Sequence, residues 1–124
     1  MYLNNHSYYS LRYGTISEEE LLDLAIHEGC THFALTDINN TSGCLNFVRR
    51  AKEKNIKPII GVDFRNKTKQ CYVALAMNNQ GFLEINNYLS KHLHNKTPFP
   101  DQAPHFENAI IVYPFENVME LDKI

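Results

Sequence analysis

The sequence predicts an α/β fold with a mainly parallel sheet and one β-hairpin. Short apolar segments that are typical of buried strands alternate with segments whose apolar residues recur at helical spacing, in the order β α β α β β α β. Strands that are separated by helices favour parallel pairing with right-handed crossovers. The exception is the polar segment 65–69 between two apolar runs, which is typical of a hairpin turn.

The first helix has the clearest boundaries in the sequence. A short strand at residues 2–6 precedes it, and the helix is expected to span residues 17–28. Ser17 and Glu20 form a capping-box pattern, in which the serine oxygen caps a free amide and the glutamate reaches back to the N–H of the cap residue. Gly29 follows the last apolar residue and is a typical C-terminal stop.

The remaining elements follow along the chain. We expect a strand at 31–37, a helix that starts at Thr41 or Ser42 and ends before Asn55, strands at 57–64 and 70–77, a helix that starts at Asn78–Asn79, an irregular Pro-rich segment at 95–107 and a last strand at 108–115. In the second helix, Leu45, Val48 and Ala51 are expected to face the sheet, which leaves its basic residues outside.

The composition excludes several classes of protein. The chain has 124 residues, which suits one domain, and 44% of them are hydrophobic, which is too many for a disordered chain. No apolar run approaches the roughly 18 residues that span a bilayer, and the N-terminus has no signal-peptide pattern. We therefore expect a soluble, cytoplasmic protein without membrane contact. A net charge of −2 excludes binding of nucleic acid through a strong overall positive field.

The three cysteines form no metal-binding or redox pattern. Cys30, Cys44 and Cys71 contain no C-x-x-C pair, and each lies in an apolar segment. In a chain without a secretion signal they are expected to be reduced and to act as small core residues.

The charges are segregated along the chain. Residues 1–48 carry one basic residue against six acidic ones, whereas residues 49–69 carry eight basic residues against two acidic ones. This basic block indicates either a solvated helix face followed by a solvated turn, or a docking surface for phosphate or an acidic neighbour. Its helical part contains four bases that we expect on the outer face of the second helix: Arg49, Arg50, Lys52 and Lys54.

Polar residues that could hold a metal ion follow three of the predicted strands. Asn4 and His6 end the first strand, Asp37 ends the second, and Asp63 ends the third. The carboxyl ends of parallel strands meet at one edge of a sheet. Imidazole and carboxylate side chains are common ligands of divalent metal ions. In the alternative interpretation, Asp37 and Asn39 cap the next helix, His6 bonds to backbone and Asp63 shapes a turn. The spacing alone leaves both open.

Four segments carry a resemblance to a known family. In chain order they are NNHSYYSLRYGTIS with the helix after it, ALTDINNTSG, IKPIIGVDF and ALAMNNQGFLEINNYLS. Together they resemble the polymerase and histidinol phosphatase (PHP) domain, in the form found at the N-terminus of bacterial DNA polymerase III alpha subunits. The resemblance implies that residues 1–124 are the N-terminal part of a longer PHP domain, folded as a partial, distorted (β/α)₇ barrel.

The resemblance also implies a metal centre of His, Asp and Glu residues, from which this sequence departs. The first motif is usually His-x-His, but here Asn4 stands in the leading place and only His6 is kept. The second is usually Asp-His, but Ile38 follows Asp37, and the third usually presents Glu where this chain has Asp63. We therefore expect His6, Asp37 and Asp63 to form a vestigial site, with Asn4 as a weak donor. Such a site would bind Zn²⁺, Mn²⁺ or Mg²⁺ weakly or not at all.

Three functions remain open at this point. In the first, the chain is an inactive scaffold within an alpha-type DNA polymerase, a nucleotidyltransferase of replication or translesion synthesis. Its partners are then the rest of the polymerase chain and, through the full-length protein, DNA. In the second, it is an active metal-dependent phosphoesterase, which the loss of a ligand at Ile38 disfavours. In the third, it is a stand-alone adaptor that binds proteins through its basic helix. Because a partial barrel exposes strand edges, we also expect the isolated chain to self-associate.

Overall fold

A computed structural model describes residues 5–7, 9–10 and 16–114 of the chain. The elements within these residues are α1 (Glu18–His27), β1 (His32–Ile38), α2 (Cys44–Glu53), β2 (Lys57–Asn66), β3 (Lys69–Ala76), α3 (Asn79–Asn95) and β4 (Ala109–Val112). The α/β class is confirmed, and each of these elements lies within a few residues of its predicted place. None of the helices in the described ranges combines the length and the apolar character that a membrane span needs.

The predicted strand at residues 2–6 falls mostly outside the described residues. Residues 5–7 are described and are not part of a strand, but Asn5 lies beside β1. The N–H of Asn5 donates to Oγ1 of Thr36 at 3.1 Å, and the N–H of Thr36 donates to the carbonyl of Asn5 at 2.9 Å. Asn5 therefore lies along the outer edge of β1, and we call the described residues 5–7 and 9–10 the N-terminal segment.

The sheet is not mainly parallel in the described residues, so this part of the prediction was wrong. Its strand order is β1-β2-β3-β4. β1 pairs with β2 in parallel, whereas the β2–β3 and β3–β4 pairs are both antiparallel. The β2–β3 hairpin was predicted from the polar segment between the two strands, but the antiparallel pairing of β4 was not.

The direction of β4 follows from the path of the chain after α3. A helix of 17 residues is about 25 Å long, so α3 carries the chain away from the end of β3. The Pro-rich segment 96–108 then brings it back, and the N–H of Met77 donates to the carbonyl of Asn108 at 2.9 Å. β4 therefore starts beside the end of β3 and runs back along it. Alternating strands and helices give parallel pairing only when the next strand starts near the end of the helix, and here the segment after α3 first carries the chain back to the end of β3.

Local backbone signals set the bounds of α1 and α2. Ser17 caps α1 as predicted, because its Oγ accepts from the N–H of Glu20 at 3.2 Å, and Gly29 follows the helix with a left-handed φ of 76°. α2 begins at Cys44, two or three residues later than predicted. Asn55, with a φ of 58°, lies just beyond its end.

The buried face of α2 differs from the predicted one. Cys44, Phe47 and Ala51 are buried, whereas Leu45, which was expected to face the sheet, is 76% exposed. The buried positions lie three and four residues apart and form one stripe, and Leu45 is about 100° around the helix from Cys44. Val48 is half-buried at the margin of this stripe.

All three helices pack on one face of the sheet. α1 and α2 form a core with Phe33 and Leu35 of β1, and α3 forms a second core with Phe64 and Tyr72 of the hairpin. Since side chains alternate along a strand, the other face carries the intervening residues. Its buried apolar members form a third, smaller cluster of Ala34, Val73 and Leu75.

The cysteines are free thiols that lie at different depths. Cys44 and Cys71 are buried, as expected for core residues, and Cys30 is half-buried.

The first testable consequence of this packing concerns Gly81, at the start of α3. A Cβ atom at this position would overlap the carbonyl oxygen of Asn108, in the backbone that leads into β4. We expect Gly81→Ala to lower the free energy of unfolding by about 1–3 kcal/mol, because the backbone must shift to make room. Urea denaturation followed by circular dichroism measures this change. Ser90→Ala, at an exposed position of α3, is the control and should stay within about 0.5 kcal/mol. An equally small change for Gly81→Ala would contradict the close approach of Gly81 to the backbone of Asn108.

Candidate functional site

The parallel pairing of β1 with β2 brings the carboxyl ends of two strands side by side. Asp37 lies near the end of β1 and Asp63 near the end of β2. Beyond them the N–H of Asn39 donates to the carbonyl of Asp63 at 3.1 Å, which continues the contact between the strands. His6 and Ser7 of the N-terminal segment contact the two carboxylates. The predicted site residues His6, Asp37 and Asp63 therefore lie at one edge of the sheet.

Asp63 is fully buried, and its carboxylate is held by three side chains. Oδ2 accepts from Nη2 of Arg65 at 2.9 Å and from its Nε at 3.2 Å, and Nε2 of His6 lies 2.9 Å from the same oxygen. Oδ1 accepts from Nε2 of Gln70 at 3.1 Å. The side chains of His6 and Arg65 are only 15% and 13% exposed. We call these four residues the Asp63 cluster.

Arg65 is the member of this cluster that the sequence analysis missed. It was assigned to a polar turn, but β2 continues to Asn66, so Arg65 is still a strand residue. Side chains two residues apart on a strand project from the same face, and the Asp-x-Arg spacing could have revealed the pair. On β3 the register shifts by one residue, which leaves Cys71 as a bulge and places Gln70 opposite Arg65.

Burial and charge act in opposite directions on Asp63. Desolvation by burial raises the pKa of this carboxyl, but hydrogen bonds from His6, Arg65 and Gln70 and the positive charge of Arg65 outweigh it. The pKa of Asp63 therefore lies below its usual value. The group is an ionised carboxylate at neutral pH, and its counter-charge is part of the protein.

Asp37 is buried as well, but it has different partners. It lies opposite Val62 in the register, on the face that packs against the helices, whereas Asp63 projects from the other face. Oδ1 of Asp37 accepts from the N–H of Ser7 at 2.6 Å and from Oγ of Ser10 at 2.7 Å, and Oδ2 accepts from Oγ of Ser7 at 2.7 Å. The structure therefore does not bring Asp37 into the Asp63 cluster.

The start of α2 lies close to Asp37. The pKa of the Cys44 thiol, in the first residue of this helix, is raised to about 12, first by burial and then by the negative charge of Asp37. This thiol is protonated at neutral pH and is a poor nucleophile or metal ligand. The negative charge of Asp37 is stabilised by its position near the N-terminal end of α2, because that end of a helix carries a partial positive charge.

Ile38 occupies the position at which the PHP pattern usually carries a histidine. It pairs with Asp63 in the register, so its side chain projects from the face of the Asp63 cluster. An aliphatic side chain at this point offers no atom that binds a metal. Asn4, the expected weak donor, lies outside the described residues.

The described residues of this site do not fit a divalent metal ion. A metal needs several lone pairs that converge on one point, but both oxygens of Asp63 already accept protein hydrogen bonds, and a guanidinium lies against one of them. The oxygens of Asp37 are taken in the same way by two serines. Across residues 5–7, 9–10 and 16–114, no group of three or more His, Cys, Asp or Glu side chains is arranged to hold a metal ion.

The basic face of α2 finds acidic partners within the chain. Nη1 of Arg50 lies 3.2 Å from a carboxylate oxygen of Glu19, and Nζ of Lys54 lies 2.8 Å from one of Asp23, both on α1. Two of the four helical bases therefore pair with the acidic N-terminal third of the sequence. This pairing weakens the idea that the helix is a docking surface for another protein.

The family of the chain follows from comparison with known proteins. The model of the PHP domain family matches residues 3–122, which is nearly the whole sequence. The chain belongs to the PHP domain family. The resemblance of its four motifs to this family is thereby confirmed.

The curated relatives are bacterial DNA polymerases. The chain is 40% identical over 83 residues to the DNA polymerase III alpha subunit of Ureaplasma parvum, which covers 67% of this chain and 8% of that protein. It is 29% identical over 124 residues to the alpha subunit of Pasteurella multocida, covering 90% and 11%. An error-prone DNA polymerase of Symbiobacterium thermophilum is 31% identical over 90 residues, covering 73% and 8%. The chain thus spans about a tenth of the length of these relatives.

A solved structure shares the fold. It is a crystal structure from Bifidobacterium adolescentis, assigned by name as a metal-dependent phosphoesterase, with a TM-score of 0.53 and 17% sequence identity. The match covers 76% of this chain and 34% of that one. At this identity the likeness concerns the fold alone.

The Asp63 cluster predicts a pH-dependent contribution to stability. At neutral pH, Asp63→Asn should lower the free energy of unfolding by about 3–5 kcal/mol, because it removes the charge that balances a buried guanidinium. This difference should shrink as the pH falls below about 4. A carboxyl whose pKa is lowered by folding stabilises the protein above its unfolded pKa, and this stabilisation is lost as the pH falls through the folded value.

Urea denaturation of both proteins at several pH values measures the effect. Asp101→Asn serves as the control, because its ion pair with Lys69 is exposed and should contribute less than about 1 kcal/mol at any pH. If the loss caused by Asp63→Asn were the same at pH 7 and pH 3, Asp63 would not be the ionised group described above.

Proposed function

We propose that this chain is the PHP region of an alpha-type DNA polymerase in which the metal site is degenerate and the domain acts as a scaffold. The observation that carries the proposal is the contact of Arg65 with Asp63, with N–H···O distances of 2.9 and 3.2 Å. A fixed guanidinium supplies the positive charge that a bound cation would otherwise bring to this carboxylate. His6, Asp37 and Asp63 are then structural remnants of a metal site, and Asn4 adds no charge to it.

The scaffold role is supported by what these carboxylates hold together. Asp63 joins the N-terminal segment, through His6, to both strands of the hairpin. Asp37 joins the same segment, through Ser7 and Ser10, to β1. In this proposal the groups of a former metal centre close the fold, and catalysis belongs to other parts of the polymerase.

The polymerase assignment is supported by the relatives, which carry a matching region within chains about ten times as long. On this account the fold is part of a distorted (β/α)₇ barrel, of which β1, α2 and β2 form one parallel unit. The partners are the remaining polymerase chain and, through the full-length protein, DNA. An active phosphoesterase is the alternative, and only the shared fold supports it.

The proposal predicts that the chain neither takes up Mn²⁺ or Zn²⁺ at this site nor hydrolyses phosphoesters. Neither ion should raise the midpoint of thermal unfolding by more than about one degree, because ligand stabilisation requires binding to the folded state. No turnover of a phosphomonoester or of single-stranded DNA is expected. Stoichiometric uptake of Mn²⁺, or turnover that His6→Ala abolishes, would support the phosphoesterase instead.

A reconstructed site provides the positive control. Ile38→His combined with Arg65→Ser adds an imidazole opposite Asp63 and removes the competing guanidinium. This double variant should be less stable than the parent without metal but should gain thermal stability with Mn²⁺ or Zn²⁺. The matched variant Ile38→His with Arg49→Ser keeps Arg65 and should gain none. Equal responses of the two double variants would show that Arg65 does not exclude the metal.

The proposal further predicts that the isolated chain self-associates through β4. Within the described residues β4 pairs only with β3, and Ile110 and Val112 on it are 53% and 37% exposed. An open edge with apolar side chains is a template for pairing with another strand. Light scattering should therefore give an average mass that rises with concentration.

Two lysine substitutions locate the contact. Ile110→Lys should reduce the association, whereas Leu45→Lys, which replaces an even more exposed apolar residue on α2, should not. A strictly monomeric parent at high concentration would contradict this prediction.

A further inference from the structure

A basin lies between the end of the β2–β3 hairpin and the C-terminal end of α3. Its volume is about 460 Å³, within the range of small-molecule sites. Arg65 and Lys67 of the hairpin and Lys96 at the end of α3 line it together with the rings of His92 and Phe99. We call this space the hairpin basin. It does not depend on the proposed scaffold role.

Two asparagines fix the walls of the basin. The side chain of Asn66 donates to the carbonyl of Phe99 at 2.7 Å and accepts from its N–H at 2.8 Å. The side chain of Asn39 donates to the carbonyl of Arg65 at 2.8 Å and accepts from its N–H at 2.9 Å. Each amide therefore ties two segments together by a pair of bonds to one residue. A site that is rigid before binding loses less entropy when a ligand enters.

The charges around the basin are of one sign. The described lining residues include Arg65, Lys67 and Lys96 and no carboxylate. Asp63 balances the charge of Arg65, so the excess comes from the two lysines. Neither lysine ammonium forms an ion pair with any residue in the described ranges. This is unlike Lys54 on α2, whose charge is paired with α1.

Both lysines occupy backbone positions that do not favour lysine. The φ angles of Lys67 and Lys96 are 57° and 54°, in the left-handed region that glycine and asparagine adopt most readily. Asn39, also at the basin, has a φ of 51°. Left-handed residues are common in hairpin turns and at the ends of helices, where Lys67 and Lys96 lie, but glycine or asparagine adopts this conformation at lower cost than lysine.

We propose that the hairpin basin binds the phosphate group of a nucleotide, either free or as part of a single strand. Two ammonium groups at the rim, neither of which pairs with a carboxylate of the described residues, are suited to a phosphate, which lysine binds as a point charge. The basin is larger than a phosphate alone. His92 and Phe99, stacked at 5.0 Å between ring centroids, and the apolar Leu93 and Pro98 form a wall against which a sugar or base can pack.

Titration of the ¹⁵N-labelled full chain tests the proposal. The probes are thymidine, thymidine 5′-monophosphate and a short oligothymidylate, at low and at physiological salt. We expect the monophosphate and the oligonucleotide to shift the amide signals of residues 65–67 and 92–99, and thymidine to shift them far less. Tighter binding of the oligonucleotide would identify a strand as the source of the phosphate, and equal binding would identify a free nucleotide. Both results support a phosphate site.

The variant Lys67→Asn with Lys96→Asn removes both charges and keeps residues that accept a left-handed backbone. It should weaken oligonucleotide binding by about tenfold or more at low salt and reduce the salt slope by about 1.4, the value for two phosphate contacts on a single strand. Lys52→Gln with Lys57→Gln removes two exposed charges elsewhere and should leave binding within about twofold. Unchanged binding by the first variant, an equal loss in the second, or equal shifts by thymidine and its monophosphate would overturn the proposal.

Discussion

The burial of one carboxylate, Asp63, is the constraint on which the rest of the site depends. An ionised group that is removed from water costs several kcal/mol unless the protein replaces its hydration and its counter-charge. Here Arg65 supplies the charge, and His6 and Gln70 complete the hydrogen bonds. Because these donors come from three segments of the chain, satisfying one charge also fixes the N-terminal segment, β2 and β3 relative to one another.

The N-terminal segment extends this arrangement to both faces of the sheet. His6 bonds to Asp63 on one face, and the next residue, Ser7, bonds to Asp37 on the other. Side chains of consecutive residues in an extended chain point in opposite directions, so the segment can straddle the edge of β1. The same two carboxylates that the PHP pattern associates with metal thus hold His6, Ser7 and Ser10 in place. In the proposed scaffold, this use of both carboxylates replaces the contacts that an ion would make.

Local signals were sufficient for most of the fold and for part of the site. Ser17, Gly29 and the polar hairpin segment marked element boundaries that depend on a few neighbouring residues. The direction of β4 could not be predicted in this way, because it depends on how far the Pro-rich segment travels back. Leu45 was misplaced because Leu45, Val48 and Ala51 recur at helical spacing just as Cys44, Phe47 and Ala51 do, and packing against the sheet selects the second stripe.

For the site residues too, local sequence predicted some features, whereas others depend on how distant segments pair. The motifs identified His6, Asp37 and Asp63, but not that the two aspartates project from opposite faces, since this depends on the pairing of β1 with β2. Arg65 was overlooked because its charge was attributed to a solvated turn. Its role appears only when β2 is seen to continue past Phe64 and a bulge on β3 brings Gln70 opposite. Which side chains contact Asp37 and Asp63 depends on strand register and strand length, and the local sequence does not determine either.

The central claim is that a guanidinium has taken the place of a metal ion beside Asp63. The most direct measurement is anomalous X-ray diffraction from crystals of this chain grown with excess Mn²⁺. The account predicts no anomalous peak at the Asp63 oxygens and a guanidinium of Arg65 that stays within hydrogen-bond distance of Oδ2, as in the 2.9 Å contact described above. A peak about 2.2 Å from Asp63 and His6, with Arg65 displaced towards solvent, would contradict it.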